Sequence, residues 1–497
     1  MRNDRRRERE ARKAKKKDER MNGFCRILSI IYSILVLAFI GLIVWLNVLP
    51  MKYLIAIIVI LLLISVFIVP VMYSKHGVPG RKKIATGFAV VLIVLFGVGT
   101  YYLAATLDFL GDITSLGGSK ETFYLLVDKE SEYKKAEELS GETIGAYAAP
   151  DKNYAQARAM LVDELDVEYK YEEELSLLFE NLDKDYKAIF ISAASYESVN
   201  GDDGTLENDV KILHKITVKV DKEQTTKGVD VTKEPFNVLI SGIDIEGDID
   251  IISRSDVNMV ATINPVTKEV LLTSIPRDAY VVLPSKESYD KLTHTGLYGA
   301  TETVQAVEDL MGIDINYYVK VNYSTVVKLV DAIGGIDIYS PYSFTTHGMD
   351  EVFTFNQGNI HLNGEQALAY SRERKSWLDG DMRRNENQQL ILEAIIKKAV
   401  NSSTILSRYT SILNSIKDNM ETDMDSNDMT SLIKMQINDM ASWKIERQAI
   451  KGEPDYQYCY AVGANASVVR VYTTDIAAEV DKILEVQKVP TDEGNDD

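Results

Sequence analysis

Three long apolar runs dominate the first hundred residues of the chain. They cover roughly 27–46, 53–73 and 84–107, and no Asp or Glu occurs between residues 21 and 107. A helix of about 20 residues, rising 1.5 Å per residue, crosses about 30 Å of hydrocarbon. A buried core helix would be shorter and interrupted by polar positions. The pattern therefore predicts three transmembrane helices within residues 27–107.

The basic residues that flank these runs predict their orientation. Residues 1–26 form a basic tail with 11 Lys and Arg in the first 20 positions, the loop 47–52 has one Lys, and the loop 74–83 has four Lys and Arg. By the positive-inside rule the tail and the second loop are cytoplasmic, and the chain after the third helix is extracellular. The long tail and the serial runs argue against a cleavable signal peptide. We expect a multi-pass protein of the cell membrane.

The periodicity of the apolar positions changes after the third run. In residues 121–220 the runs FYLLV, TIGAY and KAIFI alternate with the helical stretches SEYKKAEEL and YAQARAMLVDEL. This alternation predicts a small accessory α/β domain with a mostly parallel sheet. The domain has no glycine-rich phosphate loop, so we expect a structural or partner-binding role. The polar residues 221–234 are predicted to be a linker.

A larger domain is predicted over residues 235–485. The runs FNVLISGID, VNMVATINP and EVLLTSIPRD predict strands. The stretches TETVQAVEDLMG, TVVKLVDAIGG and GEQALAYSRER and roughly residues 385–400 predict helices, of which the second ends at Gly334 and Gly335. The predicted fold class is α/β or α+β, with a central sheet flanked by helices. Residues 486–497 are predicted to be an acidic disordered tail.

Charge is divided unevenly along the chain. The 55 Lys and Arg and 74 Asp and Glu give a net charge of −19, but residues 1–107 carry +12 and residues 108–497 carry −31. The two cysteines, Cys25 and Cys459, lie on opposite sides of the predicted membrane, so they cannot pair within one chain. A disulfide-built scaffold is excluded.

Arginine stands out within the acidic part of the chain. Residues 108–497 contain ten Arg, of which six fall between positions 254 and 384. They are Arg254, Arg277, Arg372, Arg374, Arg383 and Arg384. Because a guanidinium is a planar fork of donors that suits phosphate, the cluster indicates a phosphate site. Unrelated surface ion pairs are the alternative, and spacing alone does not decide between them.

Three carboxylates, Asp244, Asp256 and Asp278, follow or precede predicted strands beside Gly or Arg. Convergent Asp oxygens with phosphate oxygens and water are a usual magnesium site, although Asp is also an ordinary turn residue. The chain has no G-x-S-x-G, H-E-x-x-H or Walker motif, which disfavours hydrolase, zinc protease and NTP-driven kinase functions. The five His are scattered. Two of them, His294 and His361, lie near the segments of interest, but a lone loop His is more often incidental than catalytic.

Several segments carry a family resemblance. In order and spacing, FNVLISGID, RSDVNMV, LLTSIPRDAYV, VDAIGGIDI, LNGEQALAYSRERK and DGDMRRNENQQ resemble the LytR-CpsA-Psr family of bacterial envelope proteins. The resemblance covers about 236–400 and extends to about 485. The three apolar runs and the additional domain before this region resemble the capsule-type member of the family.

The resemblance implies a membrane-anchored phosphotransferase of a Gram-positive bacterium. Such an enzyme moves a glycopolymer, either capsular polysaccharide or wall teichoic acid, from a polyprenyl-pyrophosphate carrier to a peptidoglycan hydroxyl. A phosphodiester forms and polyprenyl phosphate leaves. The implied partners are the carrier-linked glycopolymer, peptidoglycan and membrane lipid, with polysaccharide export or synthesis proteins as further candidates.

The resemblance also assigns residues by position. Asp244 and Asp256 match the positions that hold Mg²⁺, for which Mn²⁺ is an alternative. The matching pyrophosphate-binding residues are Arg254, Arg277, Arg372, Arg374, Arg384 and Gln388.

Arg277 and Asp381 are the candidate catalytic residues. Asp381 is the candidate general base because it is the one motif carboxylate not assigned to metal. The sequence departs from the family at Asn387, where relatives often have Arg. One phosphate contact is therefore either missing or supplied by Arg383.

Two other functions remain open at this point. The basic tail could bind nucleic acid in a transcriptional attenuator, although it lacks aromatics and a helix-turn-helix pattern, which favours contact with anionic lipid instead. The chain could also be a non-catalytic assembly factor that scaffolds polymer export or sets chain length.

Overall fold

The computed structural model describes residues 2–47, 49–74, 78–115, 120–148, 152–200, 205–219, 227–243, 249, 253–347, 351–377, 380–399, 408, 411–415 and 419–490. The chain divides into two compact units. The first contains Met1–Leu110 and Met429–Met440, and the second contains Gly111–Asp428 and Ala441–Asp497.

Three helices form most of the first unit: α1 (Arg2–Leu46), α2 (Met51–Tyr73) and α3 (Pro79–Ser115). Each contains a stretch long and apolar enough to cross a membrane. Large apolar side chains such as Trp45 and Phe67 are 73% exposed, as expected where lipid replaces water as the solvent. The three predicted apolar helices are confirmed, and α1 continues back through the basic tail.

The accessory domain contains a five-stranded sheet. Its strands are β1 (Lys120–Asp128), β2 (Thr143–Tyr147), β3 (Glu168–Glu172), β4 (Ala188–Ser192) and β5 (Val210–Lys219), in the order β3-β2-β4-β1-β5. Helices α4 (Lys152–Leu165), α5 (Leu175–Glu180) and α6 (Ala193–Asn200) connect the strands.

Two predictions for this domain were wrong. The sheet is mixed, because β2 is parallel to β3 and β4 whereas β1 is antiparallel to β4 and β5. Strand direction depends on the path of the connections, which the alternation of apolar residues does not encode. The helix predicted from SEYKKAEEL is only a 3₁₀ turn, Ala136–Leu139. The Glu138 carboxylate accepts the backbone N–H groups of Lys134 and Lys135, which closes a short turn instead of starting a longer helix.

A six-stranded sheet is the centre of the larger domain. Its strands are β6 (Phe236–Ile243), β7 (Ser255–Asn264), β8 (Glu269–Ile275), β11 (Tyr317–Asn322), β16 (Met420–Thr422) and β17 (Lys444–Ala449). The order is β16-β11-β6-β7-β8-β17, with β11–β6 and β17–β8 parallel and the other pairs antiparallel.

Hairpins and helices surround this sheet. The paired outer strands are β9 (Tyr280–Leu283) with β10 (Ser288–Lys291), β12 (Ile336–Ser340) with β15 (Gly358–Leu362), β13 (Phe344–Thr345) with β14 (Thr354–Phe355), and β18 (Gly452–Cys459) with β19 (Ala464–Val471). The helices are α7 (Leu292–Thr295), α8 (Ala300–Met311), α9 (Tyr323–Ala332), α10 (Gly364–Arg372), α11 (Gly380–Ala399) and a further helix, Thr473–Val486. Another helix, Ser426–Asp439, belongs for most of its length to the first unit. The predicted fold class, a sheet flanked by helices after three apolar helices, is confirmed.

The helices predicted in this domain form where expected, with one shifted start. The chain leaves α9 through Gly334 and Gly335, whose φ angles of +84° and +77° suit glycine. Helix α11 begins at Gly380, before the expected start near residue 385. A Cβ at Gly380 would collide with the carbonyl oxygen of Arg374, so glycine allows α11 to begin directly against the segment after α10.

The sheet uses its two faces differently. Leu239 and Val260 point into a core completed by α8 and the helix Thr473–Val486. The neighbouring residues Ile240 and Met259 point to the opposite face, because side chains alternate along a strand. That face lines a cavity.

Cys459 yields a first testable prediction. Its thiol is fully buried at the end of β18, and burial, assisted by the charge of Asp290, raises its pKa to about 12. The thiolate is the reactive form, so we expect Cys459 in a Cys25→Ser variant to resist alkylation at pH 8 until denaturant is added. Mass spectrometry of the alkylated protein measures this. Rapid labelling of the native variant would contradict the burial of β18.

Candidate active site

A cavity of about 420 Å³ lies between the sheet and helices α9, α10 and α11. This volume is typical of small-molecule binding sites. Its apolar part is lined by Ile240, Ile243, Val257, Met259, Val321, Val326, Leu368, Ile391, Leu392 and Ile395. A branched aliphatic surface of this kind offers dispersion contacts and no hydrogen bonds, so it suits a hydrocarbon chain.

The polar part of the same cavity gathers most of the residues predicted from the sequence. Seven of the nine line it: Arg254, Asp256, Arg277, Arg372, Arg374, Arg384 and Gln388. Of the other two, Asp244 lies outside the described residues, and Asp381 belongs to α11 but its side chain is not described. The cavity therefore joins an apolar interior to a strongly cationic rim.

The pairing of β7 with β8 brings Asp256 and Arg277 together. The two strands are antiparallel, so the start of β7 lies beside the end of β8. Nη1 of Arg277 lies 2.9 Å from Oδ1 of Asp256, and both side chains are 10% exposed. The hydroxyl of Thr293 donates to the same carboxylate oxygen at 2.9 Å. These contacts restrict the orientation of the guanidinium.

Asp278, the third carboxylate noted in the sequence, supports this arrangement from outside the cavity lining. Its carboxylate lies 3.6 Å from Nε of Arg277 and 3.3 Å from Nζ of Lys291. Arg277 is therefore in contact with two carboxylates. Asp278 is not among the described residues that line the cavity, so its contact with Arg277 is its link to the site.

Helices α10 and α11 supply two further cations, Arg372 and Arg384. Arg372 ends α10, with its guanidinium 4.1 Å from the centre of the Tyr323 ring, a cation–π contact that restricts its orientation. Arg384 and Gln388 are four residues apart on α11 and so share one helix face. Oε1 of Gln388 is buried and has no hydrogen-bond partner among the described residues, so it is available to a ligand donor.

The cavity lining offers few ligands for a divalent cation among the described residues. The described residues contain no group of three or more His, Cys, Asp or Glu that could hold a metal. Among the described side chains, Asp256 is the one carboxylate in the cavity lining. Mg²⁺ is commonly held by one or two carboxylates with substrate phosphate oxygens and water, so Asp256 fits that arrangement.

Comparison with known proteins identifies the family of the larger domain. Residues 206–481, more than half of the chain, match the model of the LytR_cpsA_psr family. The chain belongs to this family. The match begins inside the residues assigned to the accessory domain, shortly before β5, and continues through the whole described cavity.

Individual relatives are similar over the same region. A protein of Enterococcus faecalis named polyisoprenyl-teichoic acid–peptidoglycan teichoic acid transferase TagU is 40% identical over 202 residues, which are 40% of this chain and 65% of that protein. The Bacillus mycoides protein of the same name is 34% identical over 233 residues, 46% of this chain and 74% of that protein. The crystal structure of Bacillus subtilis TagV is 30% identical, with a TM-score of 0.44, over 52% of this chain and 99% of that one.

Asn387, where the sequence was expected to depart from the family, has a structural role. Asn387 is 4% exposed, and its amide donates to the carbonyl of Tyr370 at 3.1 Å. It therefore ties α11 to α10. Its neighbour Arg383 contacts the Tyr342 hydroxyl at 3.1 Å and Glu386 at 2.7 Å, and it is not among the described residues that line the cavity.

The two histidines noted in the sequence, His294 and His361, lie outside the cavity lining. His294 is buried, with Nδ1 2.6 Å from Asp290, whose other oxygen accepts the N–H of Ala461. This contact joins α7 to the turn after β18. His361 is 57% exposed and pairs with Asp337. Neither residue lines the cavity.

His347 does line the cavity, together with Tyr323 and Lys375. These residues were not predicted from the sequence, because none of them belongs to a residue spacing that indicates a catalytic or binding site. The role of Glu373, between the two arginines of the R-x-R segment, was also missed. It becomes visible only in three dimensions, where its carboxylate accepts the N–H of His347 at 2.6 Å.

Proposed function

We propose that this protein is a membrane-anchored phosphotransferase. It transfers a cell-envelope glycopolymer from a polyprenyl-pyrophosphate carrier to a hydroxyl of peptidoglycan. The observation that carries the proposal is one cavity with an aliphatic interior and a rim of five arginines and Asp256. The names of the similar E. faecalis and B. mycoides proteins favour teichoic acid as the polymer, and capsular polysaccharide is the alternative.

The cavity matches both halves of such a carrier. The prenyl chain occupies the aliphatic interior, where each buried methylene contributes about 0.8 kcal/mol. The pyrophosphate occupies the rim, where guanidinium forks bind phosphate oxygens through charge-assisted hydrogen bonds. The net charge of residues 108–497 is −31, so this cationic rim provides a local attraction within an acidic surface.

The proposed reaction needs no covalent intermediate with the protein. The acceptor oxygen attacks the phosphorus next to the polymer, the bond from this phosphorus to the bridging oxygen breaks, and polyprenyl phosphate leaves with the bonding electrons. Positioning and neutralisation of charge provide most of the catalysis in such transfers. Arg277, held between Asp256 and Asp278, is placed to stabilise the developing charge without reorganising.

A divalent cation completes the proposed site. Asp256 and Asp244 would hold Mg²⁺ or Mn²⁺, and the ion would neutralise charge on the pyrophosphate oxygens. The energy for transfer comes from the pyrophosphate, so no nucleotide site is needed.

Membrane anchoring supports this proposal. The basic residues around the three helices favour a cytoplasmic N-terminus and extracellular accessory and family domains. A carrier embedded in the outer leaflet is met efficiently by an enzyme tethered to the same membrane, because tethering raises the effective concentration.

A reconstituted transfer reaction tests the function. The full-length chain in lipid nanodiscs receives a lipid-pyrophosphate-linked oligosaccharide, a peptidoglycan fragment and Mg²⁺, and mass spectrometry detects the phosphodiester. We expect the phosphodiester-linked oligosaccharide and free polyprenyl phosphate to form in equal amounts. If the lipid-linked donor binds but no transfer occurs, the chain is a carrier-binding assembly factor and the enzymatic proposal fails.

The metal requirement is a separate prediction. We expect a chelator to abolish transfer and Mg²⁺ or Mn²⁺ to restore it. Asp256→Asn should raise the Mg²⁺ concentration needed for half-maximal rate by about tenfold or more, because removal of a ligand charge weakens the binding of a hard cation. A Mg²⁺ titration of both proteins measures this shift. Full activity in chelator would remove the metal from the mechanism.

A further inference from the structure

The exposure of His347 distinguishes it from Asp256 and Arg277 in the same cavity. Its side chain is 56% exposed, whereas Asp256 and Arg277 are each 10% exposed. A peptidoglycan hydroxyl is attached to a bulky glycan and must approach from solvent. His347 is therefore placed where a group that receives the acceptor proton has to be: on the cavity lining, but accessible from outside.

Glu373 fixes this histidine. The Glu373 side chain is fully buried, and its oxygens accept the backbone N–H groups of His347 at 2.6 Å and Ser376 at 2.8 Å. Oε1 of the same carboxylate lies 3.6 Å from Nδ1 of His347. A carboxylate anchored by backbone donors thus faces one edge of the imidazole.

The hydrogen bonds assign the tautomer of His347. Nδ1 lies 3.3 Å from the hydroxyl oxygen of Ser376, and this hydroxyl donates its one hydrogen to the carbonyl of Thr345 at 2.9 Å. The carboxylate of Glu373 can only accept. Nδ1 therefore carries the hydrogen in the neutral ring, and Nε2, on the other edge, has a free lone pair.

We infer that His347 is the general base of the transfer reaction and that Glu373 is its positioning residue. This role was expected for Asp381 from the sequence. The inference rests on the proposed function, because it names the residue that receives the proton of the acceptor hydroxyl.

The proton balance is complete within the site. As the acceptor oxygen forms its bond to phosphorus, its proton moves to Nε2 of His347, and polyprenyl phosphate departs with the electrons of the broken P–O bond. The resulting imidazolium, with hydrogen on both nitrogens, faces the Glu373 carboxylate and is stabilised by it. It returns the proton to water before the next cycle.

Charged groups lie close to this ring. Arg374 and Lys375 line the same cavity as His347, and the Glu373 carboxylate faces Nδ1 of the imidazole. Glu373 is therefore the group in contact with the ring edge opposite Nε2.

The test compares His347→Gln with a matched histidine variant, His361→Gln. Both histidines are more than half exposed and face a carboxylate, but only His347 lines the cavity. The full-length proteins are compared in the reconstituted transfer reaction. The measurements are kcat as a function of pH, KM for the lipid-linked donor, and thermal stability.

We expect His347→Gln to lower kcat by about 100-fold or more, which is typical for loss of a general base, with little change in donor KM. The fall in rate on the acidic side of the wild-type pH profile should disappear in this variant. His361→Gln should match wild type. Glu373→Gln, which can donate to Nδ1 and so favours hydrogen on Nε2, should lower kcat at least about tenfold.

Three results would contradict these assignments. If His347→Gln retains kcat within about threefold of wild type, or keeps the acidic fall in rate, His347 is not the base. If Asp381→Asn loses the acidic fall and His347→Gln does not, the base is Asp381. If wild type itself makes no phosphodiester, the proposed function fails as well, which distinguishes that failure from a wrong base.

Discussion

Arg277→Gln is expected to lower the rate of polymer transfer by about 100- to 1,000-fold, the loss typical of removing one preorganised group that stabilises transition-state charge. Arg277 lies in the described site in contact with two carboxylates, Asp256 at 2.9 Å and Asp278 at 3.6 Å. Because these contacts restrict its guanidinium, little reorganisation energy is needed when charge develops on the phosphate. The reconstituted reaction measures the effect as kcat/KM for the lipid-linked donor.

The same change should also reduce stability, so its effect on catalysis needs a control. Removal of Arg277 leaves Asp256 buried without its partner, which costs about 3–5 kcal/mol for a buried ion pair. Arg277→Lys keeps a charge beside Asp256 but loses the bidentate fork, so we expect it to restore much of the stability and little of the rate.

A matched pair outside the cavity completes this design. Arg470 contacts Asp455 at 2.8 Å, almost the same separation as the Arg277 pair, but on the exposed β18–β19 hairpin. Arg470→Gln should leave transfer unchanged. An active Arg277→Gln protein, or equal losses in both variants, would show that the rim arginines are not the phosphate-binding site.

Val326→Trp is expected to reduce kcat/KM for a long-chain carrier by about 100-fold. Val326 lines the aliphatic part of the cavity on α9. An indole there occupies space needed by the prenyl chain. Exclusion of about four methylenes, at about 0.8 kcal/mol each, costs about 3 kcal/mol, which corresponds to about two factors of ten in affinity.

The length of the carrier provides the critical comparison. A short prenyl chain does not reach deep into the cavity, so the loss caused by Val326→Trp should shrink as the chain is shortened. Val266→Trp, an exposed valine in the turn between β7 and β8, controls for the added indole and should behave like wild type. A loss independent of chain length would mean that the aliphatic cavity does not hold the carrier.

Local patterns explain how much was predictable. The three apolar helices follow from run length alone, and strands β6, β7 and β8 follow from apolar runs that end at turn residues. The phosphate-binding candidates came from arginine enrichment and from family motifs. The cavity contains Arg254, Arg372 and Arg384 together although they are far apart in sequence.

The wrong predictions concern features that depend on non-local packing. The accessory sheet was expected to be mostly parallel, but β1 runs antiparallel to both neighbours. Burial patterns do not encode strand direction. The phosphate contact expected to be missing at Asn387, or supplied by Arg383, stays a prediction. The packing shows that the Asn387 amide donates to a backbone carbonyl of α10 seventeen residues away.

By itself, the sequence determined the membrane helices, the sheet-and-helix class of the larger domain and the set of arginines, because each depends on residue type and short-range periodicity. Only the tertiary structure decided which of these residues meet. The antiparallel register of β7 and β8 places Arg277 on Asp256, and the fold of the β13–β14 hairpin against the end of α10 places His347 on Glu373. Such contacts join residues 21 and 26 positions apart, and they exist only once backbone pairing has fixed the geometry of the elements that carry them.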